Sequence, residues 1–472
     1  MPRDSDARRP SALVDGSIGH LASRLRHGET TPTKLAEAAL ERLANRGRAL
    51  NAVVTLTEER ALRQAKQAEA ELAAGIDRGP LHGIPWGAKD LLAVRGSPTT
   101  WGAPPLRDQH IDCDATVVER LDQAGAVLVA KLAMVEFAGG MGYDELDAQL
   151  TGPGLNPWNR KHWTGGSSTG SAAAVAARLL PFAIGSETFG SIVNPAAFCG
   201  VTGLRPTYGR VSRFGAMALS WTLDKLGPMS LTAGDSALVL QAIAGPDPRD
   251  PTAARRRFAY RPAKARRSGF RLGIPKGWDN GVEPEVARRF RASVKRLEDF
   301  ATVEPVLLPD LPADAAVVLI IAAECASAFE DIIEDGRLAE LAAPSDRVKA
   351  YAYAALPSQD YLRAMRVRRR VAQDMARLMA DYDALVTPTT LGAAPKITAR
   401  LDRSSGSPVA GAIGAFANLA GLPGISVPNG LSRDGLPMGL LFTGGAWQEA
   451  RLIALAEAYQ QRTDWHRAAP PD

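Results

Sequence analysis

The chain has 472 residues, 46% of them hydrophobic and 23% charged, a globular composition that excludes disorder and allows one large α/β domain or several smaller ones. Lys and Arg outnumber Asp and Glu by 56 to 51, and a net charge of +5 over this length argues against nucleic acid or an acidic membrane as the main partner. Its three cysteines, Cys113, Cys199 and Cys325, stand too far apart for a C-x-x-C metal site and are too few for a disulfide framework, which suits a reducing cytosol.

The opening MPRDSDARRPSALVDG lacks the apolar segment of a secretory signal, and the longest apolar run, Ala315 to Ala323, is far short of a membrane span, so a soluble, cytoplasmic protein is expected. Residues 1–75 carry apolar positions at helical spacing, Leu35, Ala38, Leu40 and Leu43, then Leu62, Ala65, Ala68 and Leu72, and predict amphipathic helices. From about 80 to 232 short apolar runs broken by Gly, Pro, Ser and Thr predict strands and helices wound into an α/β core. Residues 245–272 read as an exposed basic connector, with eight basic and no acidic residues between Arg255 and Arg271. Residues 283–383 return to long Ala- and Arg-rich helical patterns, and 384–472 read as strands and turns closed by a helix.

The six histidines form neither an H-E-x-x-H pair nor a cluster at ligand spacing, and no phosphate-binding G-x-x-x-x-G-K-[ST] loop occurs, so no metal or organic cofactor is expected. Serine chemistry is better supported. Gly165-Gly166-Ser167-Ser168-Thr169-Gly170-Ser171 opens directly onto the Ala-rich run Ala172 to Ala177, where a helix N-terminus should face the turn. In Gly185-Ser186-Glu187-Thr188-Phe189-Gly190-Ser191, glycine lets consecutive amides converge as an oxyanion hole requires. Gly166 to Gly170 also matches the G-x-S-x-G nucleophile elbow, with Ser168 as nucleophile. Asn159 to Thr164 does not read as the buried strand that elbow needs, and His466 is the only histidine downstream.

With histidine unsuited as base, Lys89 in GIPWGAKD is the alternative, although its spacing alone favours a surface lysine. A lysine base must be neutral, and moving its pKa from about 10.4 to near 7 costs roughly 4 to 5 kcal/mol, which only a packed, water-poor site sustains.

GIPWGAKD, GGSSTGSAAAVAA, GSETFGSIVNPAAFCGVTGLRPTYGRVS and NLAGLPGISVP with GLPMGL, in this order, resemble the amidase signature family from about residue 30 to the end. The resemblance implies a single α/β domain with a large mixed, mostly parallel β-sheet surrounded by helices. It implies a Ser, cis-Ser, Lys triad: Lys89 as base, Ser167 after a cis peptide at Gly166, and Ser191 as nucleophile 24 positions later. Amides of Thr188, Phe189, Gly190 and Ser191 would bind the oxyanion of a tetrahedral intermediate on the way to an acyl-enzyme. Ser168 and Ser171 would support the turn, Met141, Gly142 and Phe189 would face the substrate, and Cys199 would pack in the core.

Three positions depart from the family pattern: Phe189 replaces a second glycine before the nucleophile, Val193 replaces a frequent arginine after it, and Thr169 stands where glycine is common. The expected activity is hydrolysis of small amides, anilides or carbamates by a monomer or homodimer. The alternative is the glutaminase subunit of a tRNA-dependent amidotransferase. Such subunits hold the glutamine amino group with an acidic residue, yet no carboxylate lies between Asp402 and Asp434, and Gly411 stands near the expected place. Arg368 remains a match for the arginine that holds the glutamine carboxylate.

Overall fold

In the computed structural model, which describes residues 16–142, 144–261, 268–400 and 413–471, the N-terminal apolar positions turn inward on helices. Leu35, Ala38 and Leu40 are buried on helix Pro32–Arg42, which starts with Pro32 after a Thr31 side chain that accepts from the Lys34 amide. Ala61, Ala65 and Ala68 line the buried face of helix Glu58–Ala73. Between them lies a strand that the helical periodicity conceals, β1 (Val53–Leu56).

The central strands follow as β2 (Pro85–Lys89), β3 (Val127–Leu132), β4 (Leu155–Asn156), β5 (Asn159–Trp163), β6 (Phe182–Glu187), β7 (Thr202–Arg205) and β8 (Lys225–Ser230). The C-terminal part adds β9 (Phe270–Pro275), β10 (Ala301–Val306), β11 (Ala384–Pro388), β12 (Gly424–Leu431) and β13 (Pro437–Thr443). Eleven of these form one sheet in the order β1-β3-β2-β6-β8-β7-β12-β13-β11-β9-β10, and β4 and β5 pair separately. Strands β2, β3, β6, β7, β8, β11 and β13 are buried along their whole length, as expected of a sheet covered by helices on both faces.

The mixed sheet wrapped by helices agrees with expectation. Among the described residues, parallel pairing is confined to β3-β2-β6 and β11-β9-β10, and the strands between them pair antiparallel. The Gly- and Pro-rich runs signal strand without signalling direction, which depends on the long crossovers. Of the basic connector, residues 262–267 lie outside the described residues, as does Gly411. No helix among the described residues is long and apolar enough to cross a membrane.

Candidate active site

Two neighbouring parallel strands and one turn build the site. Strand β2 pairs with β6 through Trp86↔Phe182, Gly87↔Ala183 and Ala88↔Ile184, with the Trp86 and Phe182 rings stacked 6.1 Å apart, so Lys89 emerges beside Gly185 and Ser186 at the C-terminal ends of both strands. This is the end at which open α/β sheets place ligands. The third piece is the turn before helix Thr169–Ala176, where the Gly166–Ser167 peptide bond is cis.

Lys89 is fully buried, and its Nζ lies 2.7 Å from Ser167 Oγ and 2.9 Å from Ser186 Oγ. Burial drives its pKa down to about 7, against the opposing pull of the Asp224 and Glu187 carboxylates. Lys225, equally buried and also pushed down by burial, provides the contrast. Its Nζ donates to the carbonyls of Leu223 and Thr188 and to Asn418 Oδ1, and oxygens that only accept demand an ammonium. The hydroxyls beside Lys89 can donate as well as accept, so they suit a neutral amine.

Ser168 does not cap the following helix. Its Oγ donates to the Ser186 carbonyl and accepts from the Ser186 amide, both at 3.3 Å, and Ser171 Oγ donates to the Ile184 carbonyl at 3.1 Å, tying the turn to β6. Thr169 Oγ1 donates to Gln149 Oε1 at 2.9 Å.

Ser191 sits just before the short helix Val193–Cys199, 7% exposed, and its hydroxyl makes no hydrogen bond to another described residue. Glu187 organises this segment: its Oε2 accepts from the amides of Ile192 and Val193 at 3.0 and 3.1 Å, and its Oε1 pairs with Arg205 Nη1 at 2.7 Å. Burial alone would raise the Glu187 carboxyl, but Arg205 and Lys225 outweigh it and hold it below its ordinary value. The amides of Phe189, Gly190 and Ser191 bond to no other described residue. Gly190 has φ +92°, and a Cβ there would stand 2.2 Å from Asn194 Nδ2, so only glycine permits this turn. Arg205→Met should destabilise the fold by about 3 to 5 kcal/mol in denaturant unfolding, because it strands Glu187 as a buried unpaired charge; an unchanged midpoint would show that the pair is dispensable.

A cavity of about 170 Å³ opens beside these groups, lined by Ser186, Thr188 and Asp224 on one side and by Leu91, Met217 and Leu219 among its apolar walls. Thr188 Oγ1 donates to Asp224 Oδ1 at 2.5 Å, and burial raises the Asp224 carboxyl. Met141 does not reach this wall. Its side chain is fully buried with Sδ 3.9 Å from Cys325 Sγ, and Ala138 of the same turn lines the cavity instead. Gly142 lies against Asp346, where a Cβ would stand 1.8 Å from Oδ1. Phe189 is half-buried, does not line this cavity, and packs against the apolar cluster to which Val193 and Leu223 belong. Cys199 is core, its Sγ donating to the Thr164 carbonyl at 3.3 Å, and burial pushes its thiol pKa far up.

Comparison with known proteins identifies the family. The family model described as Amidase matches residues 34–453. The chain belongs to the amidase family. Its activity is therefore that of a carbon–nitrogen hydrolase acting on amides. Among amidase-family relatives, a glutamyl-tRNA(Gln) amidotransferase subunit from Methylococcus capsulatus is 39% identical over 96% of this chain and 98% of its own length. The peptide amidase of Stenotrophomonas maltophilia superposes with a TM-score of 0.83 at 34% identity, covering 98% of this chain and 99% of its own. A chain from a vestigial protein complex bearing on the origins of an s-triazine catabolic enzyme gives 0.87 at 31% identity, covering 95% and 98%.

Sequence reasoning missed Ser186, the second hydroxyl on Lys89, and the Glu187–Arg205 support. Ser186 was visible in the motif, and its position next to Glu187 at the end of β6 was the available signal. Nothing in the local sequence joins Glu187 to Arg205.

Proposed function

We propose that this amidase hydrolyses small amides, and by the same route anilides or carbamates, through Lys89, Ser167 and Ser191. One observation carries the reading: a buried lysine amine with a pKa near 7 whose hydrogen-bond partners are two hydroxyls, one of them on the Gly166–Ser167 turn. Neutral Lys89 takes a proton from Ser167 as Ser167 takes one from Ser191, whose oxygen attacks the carbonyl carbon. The free amides of Phe189, Gly190 and Ser191, with that of Thr188, receive the oxyanion, each donor being worth about 3 to 4 kcal/mol of barrier. The relay reverses to protonate the leaving nitrogen, and water then releases the acyl group. This chemistry calls for no cofactor. Ser168 holds the turn against β6, and Phe189 in place of a glycine narrows the acyl side of the nucleophile. We place the enzyme in the cytoplasm, as a monomer or homodimer.

A second reading, the glutaminase subunit of an amidotransferase, draws on the relative from Methylococcus capsulatus and on Arg368. Arg368 Nη2 donates to the Thr222 carbonyl at 2.9 Å, next in sequence to Trp221 of the cavity lining, while its buried Nε has no hydrogen-bond partner and could take a substrate carboxylate. The missing carboxylate between Asp402 and Asp434 speaks for the free-standing hydrolase. The purified chain, assayed alone on aliphatic amides, anilides, carbamates and glutamine, should turn over the small amides. Glutamine cleavage appearing only with added partner subunits would favour the second reading.

A further inference from the structure

Helix Pro284–Glu298 carries Arg289, Ser293 and Arg296 at helical spacing on one face. That face meets Asn429 of β12, together with Tyr459 and the segment from Arg462 to Trp465 that follows helix Glu449–Gln460. Together they enclose a cavity of about 340 Å³. It lies at the Leu431 end of β12, away from Gly424, the residue that packs against Arg205.

The floor is polar and buried. Ser293 and Tyr459 both donate to Asn429 Oδ1, the latter at 2.8 Å, so the amide NH₂ is what Asn429 has left to offer a ligand. The walls are cationic, with three guanidinium groups facing one lining carboxylate, Asp464, which is itself 3.3 Å from Arg467; Arg296 also lies 3.9 Å from Asp299, outside the lining. Arg289 is held in place: Nη2 donates to the Leu431 carbonyl at 3.0 Å, the guanidinium lies 5.2 Å from the Trp465 ring centroid, and its buried Nε has no hydrogen-bond partner. Arg462 is also braced, with Nη1 donating to the Ala458 carbonyl at 2.8 Å and its guanidinium 4.3 Å from the Phe300 ring centroid.

We propose that this cavity binds the phosphate group of a small organic phosphate, with Arg289, Arg296 and Arg462 on the phosphate oxygens and the organic body against Trp465. Guanidinium forks match tetrahedral oxyanions, and a net positive cavity with an amide donor at its base favours a dianion over a single carboxylate. The space exceeds the needs of a bare ion. The site is independent of the catalytic assignment, because none of its residues touches Lys89, Ser167 or Ser191.

Ribose 5-phosphate, titrated into the full chain by calorimetry and thermal unfolding, should bind and raise Tm by about 2 °C or more at saturation. Ribose, and sodium chloride at matched ionic strength, should not. Arg289→Ala and Arg296→Ala should each weaken binding at least tenfold without altering amidase activity, and Arg296, with its side chain 64% exposed, can be replaced without disturbing the fold. Three results would overturn the proposal: the same shift with ribose or chloride, unchanged affinity in Arg296→Ala, or a response to RNA with none to ribose 5-phosphate.

Discussion

Ser191→Ala is expected to lower kcat/KM for amide substrates by about 10⁴-fold or more while leaving thermal unfolding unchanged. The size of the loss follows from the absence of a substitute. Cys199 is sealed in the core with its thiol pKa raised, and Ser168 is bound to the backbone of Ser186, so neither can take over as nucleophile. The unchanged stability follows from the setting of the Ser191 hydroxyl, which contributes no hydrogen bond to the described fold. Activity near that of the wild type would reject Ser191 as the nucleophile, whatever the variant's stability.

Lys89→Met separates catalysis from stability, because it should abolish general-base assistance, worth about 10² to 10⁴-fold, and yet stabilise the fold. An unfolded lysine titrates near 10.4 and the buried one near 7, so between these values the unfolded chain holds an extra proton and stability rises with pH. At pH 7 the native state forgoes roughly 4 kcal/mol on this account, at about 1.36 kcal/mol per unit. Denaturant unfolding at pH 7 and pH 10 should show the wild type gaining stability across the interval and Lys89→Met gaining less and standing higher at pH 7, the remaining rise coming from Lys225, which burial also pushes down. The wild-type rate should climb as pH rises through about 7 and level off above it, as the proposed neutral-amine base requires. A variant several kcal/mol less stable, together with a wild-type rate that falls with pH over the same range, would show that Lys89 works as an ammonium.

What the sequence made legible was local. Lys89, Ser167 and Ser191 each sit in a short Gly-rich segment whose turn chemistry is written in neighbouring residues, and the family and its sheet-and-helix architecture follow from such segments read together. Features built from distant residues were not legible. Strand directions depend on crossovers of dozens of residues, and β1 is four residues lodged between two strong helical patterns. Lys225 resembles Lys89 in the string of letters, and only three acceptor oxygens, one of them on Asn418, reveal it as a different kind of lysine. Met141 misled for the opposite reason. The glycines around it signalled a turn, correctly, but not which of its side chains would face the cavity.

The sheet order has a consequence for how the enzyme is made. Strand β7 carries Arg205, and its outer edge pairs with β12, which leaves the ribosome more than two hundred residues later. Until then Arg205 also lacks the Leu422 carbonyl that receives its Nε at 3.0 Å. A nascent chain therefore carries the Lys89, Ser167 and Ser191 segments long before their scaffold can close, and presents an open strand edge to its neighbours on the polysome.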